Sequence, residues 1–402
     1  MNIEHVVEEN LCIQCGMCSA VCPKACISIK RHNYDFLPEI DKIKCIDCSL
    51  CSKICSKNYL GSVEDESDIN EEIVLGDYIN IYHAKTKNRD ILKSSTSGGI
   101  ITTLVHSLLE NNSYDCAFLL DKYSYDAQLR TSKFTKNDSL INTTKSRYLT
   151  VSHYNSVKYL KENPNDRVII VGTGCVISSF LELINILKLN RDNYLLIGLF
   201  CDKTMNYGVY EYFKQHKAGK NKILKNLFFR TKDAGNWPGN VRLEYEDGST
   251  IDLNKKERMK VKEYFVPERC LYCLDKLNKN ADLSVGDNYI PENYDENGIS
   301  SVIIRSKRAD EIWNNLSDKF SFGSDSKEII IKVQGLKSRI NKNLQFAKIK
   351  GLAKGNYSAK DKNTYLKILR KIKLGQNKKL YTRINLDILF NKILSKLNKI
   401  FK

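Results

Sequence analysis

No run of about 18 consecutive apolar residues occurs in the 402-residue chain, so the sequence offers no candidate for a membrane-spanning helix. The start, MNIEHVVEENLCIQC, carries acids where a secretory leader needs a basic beginning and an apolar stretch, and a cytoplasmic protein is expected. Histidine is sparse. His5, His32, His83, His106, His153 and His216 fall at no metal-ligand spacing, which leaves imidazole–metal and general acid–base chemistry without a signature. Acidic residues nearly vanish after residue 340. There 17 Lys and Arg face only Asp361 and Asp387, a net +15, which leaves +2 of the formal +17 for residues 1–340. The body is close to neutral, and the end alone is basic.

What is present excludes disorder: 42% of residues are hydrophobic and 28% charged, enough apolar material for a buried core. The length suggests roughly two to three domains at about 150 residues each. Fourteen cysteines in a cytoplasmic chain argue for metal or redox chemistry rather than a disulfide framework, and nine of them lie before residue 56.

Residues 1–60 are cysteine-dense with little apolar periodicity, so a metal site there would have to stand in for a core. Residues 61–77 are acidic and read as a solvated linker. From 78 to 340 the pattern alternates. Strands are expected at Cys116–Leu120, Val168–Val171, Leu195–Phe200, Leu283–Val285 and Val302–Ile304. Helices are expected at Gly99–Leu109, Val176–Leu189, Val209–Phe213 and around Ala309–Phe320. This order predicts an α/β domain with a largely parallel sheet. Val241–Tyr245 and Thr250–Leu253 flank Glu-Asp-Gly-Ser, a hairpin signal, so an antiparallel section is inserted. The fold class expected is α+β: a small bacterial-ferredoxin-like domain, then the α/β domain, then a basic helical tail over 341–402. In that tail Leu386, Phe390, Ile393, Leu397 and Ile400 share one helical face, with Lys392, Lys396, Lys399 and Lys402 elsewhere on it.

Two cysteine runs have the same rhythm: Cys12, Cys15, Cys18, Cys22 and Cys45, Cys48, Cys51, Cys55, each C-x2-C-x2-C-x3-C. This is the bacterial ferredoxin spacing, in which the fourth cysteine of one run serves the other cluster. It assigns Cys12, Cys15, Cys18 and Cys55 to one 4Fe–4S cube, and Cys22, Cys45, Cys48 and Cys51 to a second. A cube presents four iron corners a few Å apart, so three ligands must come from one tight loop, and Gly16 suits such a turn. A structural zinc site would need four ligands in two pairs rather than four per run twice over. The second run has Ser56 where proline is usual. Cys26 and Cys116 read as buried thiols.

Cys175 follows one expected strand, Cys201 another, and Cys270 and Cys273 form C-x2-C after Pro267. Loops at the carboxyl ends of parallel strands converge on one crevice. Four thiolates there suffice for a third cube, with a zinc site or two unrelated pairs as the alternatives. The segment Ser94–Gly99, SSTSGG, runs into a helix whose free amides could meet a phosphate. Gly172-Thr-Gly174 resembles a dinucleotide fingerprint, but Ile177 occupies the third glycine position, and the segment reads as a tight turn presenting Cys175.

Taken together these pieces resemble the coenzyme F420 hydrogenase/dehydrogenase beta-subunit family with a fused two-cluster ferredoxin domain. The resemblance runs over about residues 1–335. It rests on SSTSGG (94–99), KSRY (145–148), GTGC (172–175), FC (200–201), FRTK (229–232) with Trp237, CLYC (270–273), ADLSVGDNY (281–289) and GISSVIIR (298–305). It implies a flavin, FAD, in a pocket to which Ser95, Ser97, Gly98, Gly99, Lys145, Ser146, Tyr148 and Asp287 contribute. It also implies that Cys175, Cys201, Cys270 and Cys273 hold a 4Fe–4S cluster beside that flavin. The chain departs from the family at GTGCV, where GTPCQ is usual, at Tyr289, where tryptophan is common, and at KTMNYG after Cys201.

A flavin takes a hydride as two electrons, whereas iron–sulfur clusters pass electrons singly. The expectation is an oxidoreductase linking a hydride donor, reduced coenzyme F420 among the candidates, to a flavin, a proximal cluster and two ferredoxin-type clusters. Its partner would be a redox protein or a small hydride donor. A different class, a non-catalytic electron-transfer adaptor, stands beside it, favoured by the altered GTGCV. Three cubes at about −2 each lower the net charge from +17 to about +11. The tail then stays basic, suited to a partner or to the anionic inner face of a membrane. No nucleic-acid-recognition fold accompanies it, so nucleic acid is not an expected partner.

Overall fold

The computed structural model describes residues 2–56, 63, 66–120, 127–233 and 237–400, without the side chains of 396–400. Fourteen strands are seen among them. In chain order they are β1 Ile27–His32, β2 Asp35–Ile40, β3 Asn80–Thr86, β4 Cys116–Leu120, β5 Leu129–Phe134, β6 Val151–Ser152, β7 Val168–Thr173, β8 Tyr194–Leu199, β9 Leu224–Thr231, β10 Asn240–Tyr245, β11 Thr250–Leu253, β12 Leu283–Asp287, β13 Ser300–Ile304 and β14 Phe320–Ser324.

Nine strands form one sheet in the order β14-β3-β13-β12-β8-β7-β4-β5-β6. Its centre is parallel, with β4, β7, β8 and β12 side by side. The flanks are antiparallel, apart from the short β5–β6 pair. The largely parallel sheet expected from the sequence is therefore a mixed one. A parallel return needs a crossover long enough to recross the sheet, usually a helix. Between β12 and β13 the chain makes only the short turn Pro291–Asn293, so β13 runs back beside β12, and β3 and β14 extend that antiparallel edge.

Strands β4, β7 and β8 are apolar along most of their length because both faces are covered. Ile169, Leu195 and Ile197 pack with Leu104 and Val105 of the helix Ile100–Glu110 and with Trp313. Val168, Ile170, Tyr194 and Leu196 face the other way, against Phe180 and Leu183 of the helix Gly174–Ile186. Continuous apolar runs are the sign of such doubly covered strands. The inserted antiparallel section is the three-stranded sheet β11-β10-β9, with a core of its own that includes Tyr212, Phe229, Leu243 and Phe265.

Residues 2–56 fold as short helices, Met17–Val21 and Leu50–Lys53 among them, around the β1–β2 ladder. They are seated on the body: Met17, Ala20, Val21 and Ile54 share a core with Phe180 and Ile184. The stretch read as a solvated linker is only partly that. Its residues 61, 62, 64 and 65 lie outside the described residues, but Val63 is buried, and the helix Glu71–Leu75 buries Ile73, Val74 and Leu75 against Ile81 and Ile303. Apolar residues so close to an open face are driven onto it.

The basic end is three helices, Leu336–Lys350, Ala359–Gly375 and Leu380–Ile400, so residue 340 falls inside the first of them. Phe346, Tyr365 and Ile368 pack on Leu271 and Tyr272, and Leu380 and Ile384 enter the core of the inserted sheet. On the last helix Leu386, Phe390 and Ile393 are exposed; the side chains of Leu397, Ile400 and the last lysines lie outside the described residues. No helix among the described residues is long and apolar enough to cross a membrane.

Candidate redox site

Both N-terminal cysteine loops wind in the same way. Gln14 (φ 61°) and Gly16 (φ 69°) in the first, and Asp47 (φ 49°) and Ser49 (φ 61°) in the second, take left-handed backbone at matching places. Alternating handedness turns successive amides toward one concavity. In the first loop the Gln14 amide already donates to Cys12 Sγ at 3.3 Å. Gly16 also sits where a Cβ would press on Ser152 Oγ at 2.7 Å, so glycine there serves the turn and the docking onto β6.

The structure brings the N-terminal thiols together, and Cys18 also interacts with Cys51 across the two runs. Cys12, Cys15 and Cys18 interact with one another and with Cys55. Cys51 interacts with Cys48 and Cys22, and these line a second small cavity with Cys45. Cys26 is buried at its edge, its sulfur 3.3 Å from that of Cys22. Cys48 is exposed, which makes the second set the outer one.

The third set comes from three segments. Cys175 opens the helix after β7, Cys201 follows β8, and Cys270 and Cys273 lie on the segment that leads to β12. Cys201 interacts with Cys270, Cys175 and Cys273, so one crevice holds all four. The loop is pressed down by contacts that require glycine. A Cβ on Gly174 would collide with the Asp275 carboxylate, and one on Gly198 with the Asn278 side chain. Asn278, fully buried, donates to the Gly172 carbonyl at 2.9 Å. This accounts for Gly174 at the family's proline position: the space of a ring there is taken by Asp275. Val176, at the glutamine position, is buried in the core.

Burial raises these thiols, Cys12 and Cys273 to about 12, and Cys201 rises further as the other three add their charge. Four buried, adjacent thiolates need a cation among them. Among the described residues no group of three His, Cys, Asp or Glu closes tightly enough to hold a single ion. Zinc draws its thiolates to about 3.8 Å from one another, given Zn–S near 2.3 Å. A 4Fe–4S cube, with its iron corners a few Å apart, takes sulfur donors set wider than that.

Of the residues expected at the flavin, Tyr148 and Asp287 meet at one ion pair with Arg230. Arg230 donates to both carboxylate oxygens of Asp287, at 2.6 and 3.1 Å, and to the Pro238 carbonyl at 2.7 Å. The same carboxylate accepts from Trp237 Nε1 and the Tyr289 hydroxyl, each at 3.1 Å. Burial would raise Asp287, but the adjacent guanidinium outweighs it and holds the carboxyl below its ordinary range. Tyr148 accepts from Arg230 at 3.3 Å and lies under Arg258. The Ser146 amide donates to Thr96 Oγ1 at 2.9 Å, joining the 145–148 turn to SSTSGG. Ser97 donates to the Ile299 carbonyl and the Gly98 amide to Ser300 Oγ, so these two donors are used within the protein. Ser95 is buried at the end of the helix Arg89–Ser94, Gly99 (φ 73°) starts the helix Ile100–Glu110, and Lys145 lies over the Phe228 ring.

Comparison with known proteins gives one answer from residue 11 to residue 326. Residues 81–158 match the model of the coenzyme F420 hydrogenase/dehydrogenase beta subunit N-terminus, and residues 165–326 that of its C-terminus. Residues 11–64 match a 4Fe–4S dicluster domain. The chain belongs to the coenzyme F420 hydrogenase/dehydrogenase beta-subunit family. It is 25% identical over 331 residues to the coenzyme F420-dependent sulfite reductase of Methanocaldococcus jannaschii, a match covering 78% of this chain and 47% of that one. It therefore spans about half the length of that relative. To the coenzyme F420 hydrogenase subunit beta of Methanosarcina barkeri it is 24% identical over 259 residues, 61% of this chain and 80% of the other. A chain of the F420-reducing [NiFe] hydrogenase complex of the same organism shares the fold, with TM-score 0.52 and 22% identity over 71% of this chain and 94% of that one. An iron–sulfur electron-transfer role follows from the dicluster match and the family.

Several residues of this family member were not legible as parts of the site. Arg339 and Asn343, on the helix Leu336–Lys350, donate to the Cys273 carbonyl at 3.2 and 2.7 Å, so part of the basic end supports the third set. Gln14 accepts from the Phe36 amide at 2.9 Å and from Thr150 Oγ1 at 3.2 Å, fastening the first cysteine loop to the body. Arg269 is buried between the first and third sets. None of these has a motif; only the pairing of distant loops reveals them.

Proposed function

We propose that this chain is a flavin- and iron–sulfur-dependent oxidoreductase, passing electrons between a hydride donor, a flavin, a proximal 4Fe–4S cluster and two ferredoxin-type clusters. The observation that carries it is the meeting of Cys175, Cys201, Cys270 and Cys273 in one crevice beside the Cys12, Cys15, Cys18 and Cys55 set. The flavin, FAD, is assigned to the region around Arg230 and Asp287. Trp237, Tyr289 and Tyr294 give it ring faces there, and Lys145 and Lys232 give it cations. When bound, it supplies the change from a hydride's two electrons to single ones. Arg230 and Asp287 keep that floor fixed and desolvated, and the sheet excludes water behind it. Reduced coenzyme F420 is the donor suggested by the relatives' names. The exposed Leu386, Phe390 and Ile393 face is assigned to a redox partner or to the anionic face of a membrane within the cytoplasm.

The alternative is an adaptor without catalysis, and one observation favours it: Ser97 and Gly98 already spend their donors inside the protein. An anaerobic count of iron, sulfide and flavin separates the two. About twelve irons and one flavin per chain, with reduction by a hydride donor, supports the enzyme. About eight irons and no flavin establishes the adaptor.

A further inference from the structure

The first and third cysteine sets are neighbours, and one cation stands between them. Cys15 interacts with Cys175, so the two sets face each other directly, while Cys48 and its set lie on the outer side of the first. Arg269 directly precedes Cys270 and is 2% exposed. Its guanidinium faces Cys55 and Cys12 of the first set and Cys175, Cys273 and Cys270 of the third. Nη2 donates to the Ser56 carbonyl, and to Ser56 Oγ at 2.9 Å, which ties the residue after Cys55 to the residue before Cys270. The Ser56 amide in turn donates to Ser179 Oγ at 3.0 Å. A proline at 56, the usual residue of such runs, would have neither that amide hydrogen nor that hydroxyl. The serine and the arginine are therefore one arrangement. Arg339, paired with Asp202 at 3.0 Å, faces Cys201 and Cys273 of the third set.

We propose that Arg269 is a positioning residue for charge: a fixed cation shared by the first and third clusters, raising both reduction potentials and making the first cluster the direct acceptor of the third. The inference rests on the three-cluster reading above. Each transfer leaves the third cluster oxidised by one electron and the first reduced by one, with no proton moved. Adding an electron to a cluster that already carries about −2 is opposed by its neighbour's charge, and a buried cation between the two offsets this strongly in low dielectric. The second cluster, beside exposed Cys48, would serve as the outlet.

The test is a redox titration of the anaerobic, cluster-loaded full chain, followed by electron paramagnetic resonance, with iron counted in each sample. In Arg269→Gln the reduction equilibrium of the first and third clusters should fall at least tenfold, 59 mV for a one-electron couple, with the second cluster within threefold of wild type. Arg269→Lys should hold all three within threefold. Full iron with no shift, or an equal shift in all three clusters, overturns the proposal. Loss of iron in both variants overturns it too, since that is the behaviour of a mere clamp. Loss in the glutamine variant alone, with the lysine variant intact, supports it; a tenfold drop in an iron-replete lysine variant overturns it. Wild type with about eight irons and two signals would instead sink the three-cluster reading itself.

Discussion

The N-terminal 56 residues and the central sheet both gather cysteines, but on different foundations. The front has a core of six buried side chains, Ile3, Val6, Cys18, Cys26, Ile27 and Cys51, half of them thiols. One sheet face alone buries twenty apolar side chains without a single cysteine. The front is thus a loop structure wrapped around what its thiols hold, whereas the third set is displayed at the end of strands that are stable for other reasons. In the first case the metal takes the place of a core; in the second the proposed cluster would be cargo on a finished scaffold.

The largest test of that contrast is iron removal. Chelation under anaerobic conditions should abolish amide-exchange protection across residues 2–56 while β4, β7 and β8 stay protected, as hydrogen exchange by mass spectrometry would show. Simultaneous loss of protection in the sheet would break the comparison. Next comes the Arg230–Asp287 pair, in the region proposed to hold the flavin. Asp287→Asn leaves the Arg230 charge buried and unbalanced, and should cost about 3–5 kcal/mol in denaturant unfolding together with bound flavin. Comparable loss should follow Ile384→Ala, about 2–4 kcal/mol, because that side chain is fully inside the inserted-sheet core. Phe390→Ser on the opposite face of the same helix should change stability by less than about 0.5 kcal/mol and weaken only partner or vesicle binding. Cys201→Ser should remove about four irons and leave the unfolding midpoint of the sheet nearly unchanged.

A pH-dependent effect concerns Lys232, which donates to the Leu92 and Asn297 carbonyls at 2.6 Å each. Burial, helped by Arg230 nearby, lowers it from 10.5 to about 8. Between those values the unfolded chain keeps a proton that the folded one has released. The stabilising contribution is therefore complete above 10.5 and lost as pH falls through about 8. Lys232 is partly exposed, so screening keeps the change below about 1 kcal/mol. Unfolding midpoints at pH 8 and 10 should rise for wild type relative to Lys232→Met.

Much of this was legible beforehand. The pairing of Cys55 with Cys12, Cys15 and Cys18 follows from spacing because a tight loop can present only three ligands to one centre. Strands β4, β7 and β8 announced themselves as apolar runs. The strands β3 and β14 did not: Asn-Ile-Tyr-His-Ala-Lys-Thr mixes polar and apolar residues, and in Phe-Ser-Phe-Gly-Ser only Phe320 is buried. Missing them made the sheet seem parallel. The acidic stretch before residue 77 read as linker because its charges outnumber Ile73, Val74 and Leu75, which nonetheless find a face to cover. The basic end read as a tail because lysines dilute its apolar positions, although Phe346, Tyr365 and Leu380 anchor it.

Local order along the chain determined which atoms could bind iron, since the geometry of a four-residue loop is set by covalent reach and backbone handedness. It also determined the apolar strands, whose side chains have nowhere to go but inward. Tertiary structure alone decided which loops became neighbours: that Arg269 reaches Ser56 across 213 positions of sequence, that Arg339 and Asn343 come to hold Cys273, and that Asp287 is met by Arg230. These contacts depend on the summed burial of many residues, and no single segment carries their record.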